Sequence, residues 1–170
     1  MKCAILGNGP SRKLYTGSIH YDYKIGTNVP WTDVNATVVM DVDIIIEWKK
    51  NKDLIKYPVY FSNTAWSYAD TLKFREYIEE QGLFLGMFKV PKEDSNVRYS
   101  SGHYAAIKAI ELGYKDLDLY GFDSYFLGNI ESYTREFVND TPANNSKRWS
   151  TLWEQMIFKH KDVTFNFIRE

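Results

Sequence analysis

Cysteine is nearly absent from this sequence: Cys3 is the only one in 170 residues. A lone thiol cannot close an internal disulfide, so a disulfide-stapled scaffold is excluded and the chain must be held by its core. Cys3 itself falls in the first strand pattern and reads as a small core residue. An excess of either charge is also missing. The 21 basic and 22 acidic side chains leave a net charge of −1, which makes no global case for nucleic acid or a membrane surface as partner. Long apolar runs are lacking too. No stretch approaches the roughly 20 residues of a membrane span, and Met-Lys-Cys-Ala-Ile-Leu-Gly is too short for a signal peptide. The expected location is the cytosol, where the Asn-X-Ser/Thr sequons at Asn35, Asn139 and Asn144 have no role. No internal repeat or linker is visible, so one domain is expected over residues 1–170. What is present is a hydrophobic fraction of 44%, enough for a sizeable core. The aromatic fraction of 16% is mostly core material, though aromatic rings also stack on bases and sugars.

The chain is organised around Arg98-Tyr99-Ser100-Ser101-Gly102-His103-Tyr104, read with Gly121-Phe122-Asp123. Between them Ala105, Ile107, Ala109, Ile110 and Leu112 supply the apolar positions of a helix that Gly113 stops. Asp116 to Tyr120 then alternate as a strand ending at Gly121. Ser100 or Ser101 can cap the helix, and Gly102 would let a ligand approach the backbone. A helix N-terminus with free N–H groups attracts anions, phosphate above all. The plainer reading of the same residues is a capped helix followed by a turn.

In chain order, Lys2 to Leu6 read as a buried strand followed at once by Gly7-Asn8-Gly9-Pro10-Ser11. Strand, glycine turn and proline at a helix start outline a phosphate loop, although the full Gly-x-Gly-x-x-Gly pattern is missing and an ordinary βα turn would look the same. Further strands are expected at Tyr21–Thr27, Ala36–Met40, Pro58–Phe61, Leu83–Val90 and Val163–Ile168. Helices are expected at Ile44–Lys50, at Trp66–Glu80, and from a cap at Ser146 onward, where Trp149, Leu152, Trp153, Met156 and Ile157 share one face. Residues 125–145 have weak periodicity and read as a flap. Apolar runs end repeatedly in small polar residues: Asn8, Asn28, Asp41, Asn63 and Asp123. In a parallel sheet these would gather along one crevice. The expected fold is α/β, a three-layer Rossmann-like arrangement with a mostly parallel sheet of six or seven strands. A bound phosphate is expected between Gly9 and Ser101, with two helix N-termini pointing at it.

Gly7-Asn8-Gly9-Pro10-Ser11, Asn28, Arg98-x-Ser100-Ser101-Gly102, Gly113-Tyr114-Lys115 and Leu119-Tyr120-Gly121-Phe122-Asp123-Ser124-Tyr125 occur in this order. The series resembles the bacterial sialyltransferases of glycosyltransferase family 42, and the wider Rossmann-like group that shares the Gly-Asn-Gly-Pro-Ser start. The resemblance implies a single α/β domain with a lid, a CMP-sialic acid donor, and no metal or other cofactor. It implies that Asn8 and Gly9 meet the donor phosphate and ribose and that Asn28 sits beside the ribose or donor sugar; Ser11, in the glycine turn, and Asn63, at a strand end, are further nucleotide-binding candidates from their positions. Ser100, Ser101 and Gly102 would bind the phosphate or the sugar carboxylate, and Gly121, Phe122 and Asp123 would line the cytidine pocket. Tyr125, with Tyr133 in the flap, would hold the departing phosphate, and Arg98 would face the active centre.

The family's general base is a flap histidine just before a Ser-Lys pair. Here Ser146-Lys147 follow Asn145, and an amide has no proton affinity near neutral pH. Of His20, His103 and His160, His103 lies directly behind the serine pair and is the candidate replacement base; a surface histidine in a capped helix is the plainer reading. Three functions remain open: a glycosyltransferase acting on a nucleotide sugar, a non-catalytic nucleotide-binding or interaction protein of the same fold (small phage proteins share this start), and a pyrophosphokinase-like enzyme in which Asp41 and Asp43 hold Mg²⁺. The partner in each is a small nucleotide, and a homo-oligomer is compatible with all three.

Overall fold

A computed structural model describes residues 1–90, 99–123, 125 and 143–169, with the backbone alone at 143–148. The strands are β1 (Lys2–Leu6), β2 (Tyr23–Thr27), β3 (Ala36–Val39), β4 (Val59–Ser62), β5 (Phe84–Phe88), β6 (Asp116–Tyr120) and β7 (Thr164–Ile168). The helices are α1 (Val42–Lys50), α2 (Asn63–Thr71), α3 (Arg75–Glu80), α4 (Ser101–Glu111) and α5 (Ala143–Lys159), and a short 3-10 helix spans Pro10–Leu14. The strands form one sheet in the order β5-β4-β3-β2-β1-β6-β7, and every pairing is parallel. The expected α/β fold is therefore present. The chain steps outward from β1 to β5, and then α4 carries it back to β6 on the other side of β1. Connections leave β1 and β6 in opposite directions, so their carboxyl ends flank the switch point where open α/β sheets hold ligands.

The central strands are buried on both faces; β1 and β3 accordingly read as near-continuous apolar runs, whereas β6 alternates because Asp116 and Asp118 interrupt it. Neighbouring residues of one strand enter different cores. Ile5, Val38, Leu117 and Leu119 pack with Ala105, Ala109, Trp153 and Met156 under α4 and α5. Val39 and Phe61 pack with Ile44, Trp48, Phe74 and Ile78 under α1–α3. On that second face the middle of the sheet is covered by loops, where Leu6 and Tyr120 meet Tyr21 and Val34. Asp118 is buried there at 3% exposure. Burial pushes its carboxyl upward, but hydrogen bonds from Tyr21, Asn166 and Lys2 outweigh burial and hold it below its ordinary value.

Two boundaries differ from the sequence reading. α5 begins at Ala143, so Asn145 and Ser146 belong to its first turn instead of preceding it; cap signals mark where a helix can start, not how far it extends. The single helix expected over Trp66–Glu80 is two helices. The break is a Schellman turn: Phe74 N–H donates to Ala69 O at 2.8 Å, Lys73 N–H donates to Asp70 O at 2.9 Å, and Lys73 takes φ +55°. The same turn closes α3 at Gly82 and α4 at Gly113, each with positive φ. Lys73 stands where those sites have glycine, and the turn persists because it drives Phe74 into full burial. A side chain in this conformation costs roughly 1–2 kcal/mol, partly offset by glycine's greater unfolded-state freedom. Lys73→Gly is therefore expected to stabilise the protein by about 0.5–1 kcal/mol. Urea denaturation at constant m-value measures this, and an unchanged or lower midpoint would contradict the account.

Candidate functional site

The carboxyl ends of β1 and β6 continue past the sheet as a paired seam. Gly7 N–H donates to Tyr120 O at 2.7 Å and Gly9 N–H donates to Gly121 O at 2.8 Å. Backbones this close leave no room for side chains: a Cβ on Gly121 (φ +78°) would collide with Gly7 O, and one on Gly9 would stand 2.7 Å from Gly121 O. Asp123 clasps the seam from outside. Its Oδ2 accepts from Ser11 N–H at 2.9 Å and from Ser11 Oγ at 2.8 Å, while Ser11 Oγ accepts from Gly121 N–H at 3.0 Å.

This changes the expected roles of several residues. The glycines were expected to admit a ligand, but their open faces are filled by the chain itself. The Phe122 ring occupies the space in front of Gly102 and lies 2.9 Å from a Cβ placed on Gly7. The N-terminus of the 3-10 helix was expected to share a phosphate with α4. Its Ser11 N–H is bonded to the Asp123 carboxylate, so the protein's own anion already sits there. Gly9, Ser11, Gly102, Gly121, Phe122 and Asp123 are thus brought together as expected, and the contacts shown join them to one another.

Asn8 stands between the two seam glycines. Its Nδ2 donates to Thr27 O and Thr27 Oγ1, both at 3.1 Å, which fixes the amide orientation because a carbonyl oxygen accepts only from nitrogen. Oδ1 is shielded from solvent and has no partner among the described residues. Asn28 follows Thr27 directly, at φ +56°. Its Oδ1 accepts from Ser101 Oγ at 3.3 Å. Asn8, Asn28 and Ser101 therefore form one corner at the ends of β1, β2 and the start of α4. The Ser101 and Gly102 N–H groups at that helix start find no acceptor among the described residues, which leaves α4 as the open helix N-terminus of the corner.

The start of α4 is held by a capping box. Ser100 N–H donates to His103 Nδ1 at 3.0 Å, and Ser100 Oγ accepts from His103 N–H. The imidazole is stacked between Tyr99, at 5.1 Å, and Trp153, at 4.0 Å. It has no exposure at all. Nε2 meets no partner in hydrogen-bond geometry, although the Trp149 backbone lies near enough to pull its pKa slightly upward. Burial dominates and pushes the imidazole down to about 3. Both sequence readings of His103 are thereby corrected. It is neither a surface residue nor a base open to an acceptor, because Trp153, fifty residues later, closes over it.

The remaining residues are more dispersed. Asn63 lies at the same sheet edge but three strands from β1, and its Oδ1 accepts from Val90 N–H at 3.1 Å, tying β5 to β4. Asp41 and Asp43 are exposed at the start of α1, after β3. Tyr125 stacks on Phe167 at 4.7 Å, and burial pushes its phenol upward. Arg98 and Tyr133 lie outside the described residues, as do most of the flap and the side chain of Asn145. Three contributors were not singled out from the sequence: Thr27, which orients Asn8; Trp31, whose Nε1 donates to Gly7 O at 2.9 Å; and Arg12, whose Nη1 donates to Asn8 O and Gly9 O. The sequence signal for Thr27 was its place before Asn28; nothing local marks the other two.

The chain matches no protein-family model and no curated protein sequence. Its fold is similar to that of the sialyltransferase CST-II, solved in complex with a trisaccharide acceptor and CMP. The two share 19% identity with a TM-score of 0.58, over 98% of this chain and 80% of that one. A sialyltransferase-like fold is thus established.

The burial of His103 has a consequence for stability. The folded state holds the neutral imidazole down to about pH 3, whereas the unfolded chain takes a proton near 6.5. Its stabilising contribution is complete above pH 6.5 and is lost as pH falls toward 3, by about 1.4 kcal/mol per unit. His103→Gln keeps a capping-box acceptor but cannot titrate. Between pH 7 and pH 5 the native protein should lose about 2 kcal/mol more than this variant in chemical denaturation. Parallel losses would show that His103 is not held neutral.

Proposed function

We propose that this protein binds a nucleotide or nucleotide sugar of the CMP-sialic acid type at the corner between β1, β2 and the start of α4. The observation that carries the reading is the orphaned Oδ1 of Asn8, whose amide holds Thr27, with the next residue, Asn28, bonded to Ser101 at the start of α4, where the Ser101 and Gly102 N–H groups are unpaired among the described residues. A buried acceptor without a partner costs about 1–3 kcal/mol, which a ligand donor would recover. With Nδ2 engaged on Thr27, Asn8 offers a ligand only an acceptor. It therefore suits a hydroxyl or amino group, such as those of a ribose or a base, and not a phosphate oxygen. The phosphate belongs instead at α4, where Ser101 and Gly102 supply N–H groups and the helix dipole favours an anion. The likeness in fold to CST-II, a protein solved with CMP, supports the same nucleotide class, and the order of motifs supports descent from the family 42 pattern.

If the chain catalyses transfer, the reaction is inversion at the anomeric carbon with loss of the nucleoside monophosphate, Tyr125 and α4 stabilising the departing phosphate. The acceptor's proton then lacks a destination. Asn145 is an amide, and His103 is closed in by Tyr99 and Trp153. Missing general-base help slows transfer by about 10²–10⁴-fold. We therefore favour binding with little or no turnover.

Isothermal titration with CMP, CDP, GTP and CMP-sialic acid, with and without Mg²⁺, tests the reading. Cytidine nucleotides should bind in preference to GTP and without need of Mg²⁺. Ser101→Pro removes one of the open α4 N–H groups at the first helical position, where proline is tolerated, and should weaken binding about tenfold or more, since a hydrogen bond to a charged group contributes about 1.5–3 kcal/mol. Preferential, Mg²⁺-dependent binding of GTP would favour the pyrophosphokinase alternative. Unchanged affinity in Ser101→Pro would remove the phosphate from α4. Radiolabelled transfer from CMP-sialic acid to lactose should be very slow, and brisk transfer would show that another base exists.

A further inference from the structure

The two edges of the sheet are built differently. β7 tucks Phe165, Phe167 and Ile168 against the cores, ties Asn166 to Asp116 and Asp118 of β6, and is followed by the charged Arg169. β5, at the other edge, reads Phe-Leu-Gly-Met-Phe, with no charge and no proline. Phe84, Leu85 and Met87 are 37%, 42% and 54% exposed. Among the described residues nothing pairs with the outer side of this strand. Its one guard is a bulge, where the partners of Val59 and Tyr60 are Phe84 and Gly86, leaving Leu85 unmatched.

We propose that β5 is an interface between two copies of this chain, pairing antiparallel with β5 of a second copy about a two-fold axis near Gly86, so that two seven-stranded sheets join edge to edge. A strand edge used twice is self-complementary in its N–H and C=O groups, as an isologous contact requires. The axis near Gly86 sets Leu85 opposite Met87, turning the exposed apolar side chains into cross-strand pairs. Charge supports the antiparallel direction. Exposed Glu79 and Glu80 precede the strand and exposed Lys89 follows it. The antiparallel arrangement brings Lys89 of each copy to the acidic end of the other, whereas a parallel one would set like charges together. The inference rests on the sheet edge alone and is independent of the nucleotide reading.

Sedimentation velocity of the full chain up to about 100 µM tests it at a concentration where contacts of this size associate measurably. The expected species is a dimer of the 19.9 kDa chain. Leu85→Lys with Met87→Lys places like charges across the pair and should raise the dissociation constant at least about tenfold. Both positions are exposed, so circular dichroism should show the fold unchanged. Lys89→Glu should weaken the dimer, and adding Glu80→Lys should restore it. A monomer throughout the range, a dimer indifferent to the double lysine variant, or larger assemblies would each overturn the proposal.

Discussion

The close approach of two turns, Gly7-Asn8-Gly9 and Gly121, governs the rest of the site. Two backbone hydrogen bonds extend the β1–β6 ladder beyond the strands, and they exist only because neither turn carries a side chain in the gap. The Asp123 carboxylate then pins the start of the 3-10 helix through Ser11, with charge-assisted bonds worth roughly 1.5–3 kcal/mol each. Asn8 is thus held by its backbone on both sides, with Arg12 donating to its carbonyl and Thr27 holding its amide. A side chain fixed by so many independent constraints has one orientation. That orientation leaves Oδ1 unpaired.

The start of α4 depends on the same seam at one remove. Phe122, which follows Gly121, fills the space in front of Gly102 and meets Trp153 edge-on at 5.4 Å. Trp153 in turn stacks on His103, the residue that completes the capping box. The first turn of α4 is therefore supported from β6 through Phe122 and from α5 through Trp153. A protonated imidazole would place a cation beside the positive end of the helix dipole, an unfavourable arrangement that the burial of His103 avoids. The neutral ring leaves the open N–H groups as the source of positive potential at that point.

Much of the fold was legible because its cause is local. Strands such as β1 that are buried on both faces appear as apolar runs, and the glycines at 82 and 113 mark helix ends because positive φ favours them. The break at Lys73 was not legible, since nothing in Leu-Lys-Phe marks a residue that adopts positive φ only to bury Phe74. The site was half legible for a similar reason. A sequence shows where a Cβ is missing but not what fills the space; at Gly102 it is Phe122, and at Gly9 it is Gly121 and Asp123. Asn8, Asn28 and Ser101 were recognisable from their places at strand and helix ends. Asn63 has the same pattern, yet the strand order puts it far from them, on the β4–β5 side.

The orphaned acceptor is best judged against the other buried polar groups. Asp118 receives hydrogen bonds from Tyr21, Lys2 and Asn166, and buried Ser62 both donates to Met40 O and caps α2. The chain therefore satisfies polar groups in its interior where it can. Besides Asn8, the unpaired buried atoms among the described residues are Trp48 Nε1 and His103 Nε2, both on rings with no exposure. These are large aromatic or stacked rings whose apolar packing offsets an unpaired N–H. Asn8 has no such compensation. Its side chain is small and polar, it retains 8% exposure, and it stands at the sheet's switch point beside an open helix N-terminus. Replacing it with an apolar residue of similar size would remove the unpaired acceptor but also the bonds that hold Thr27. The unpaired Oδ1 thus offsets part of what the Thr27 bonds contribute, a cost that a molecule donating to Oδ1 would recover.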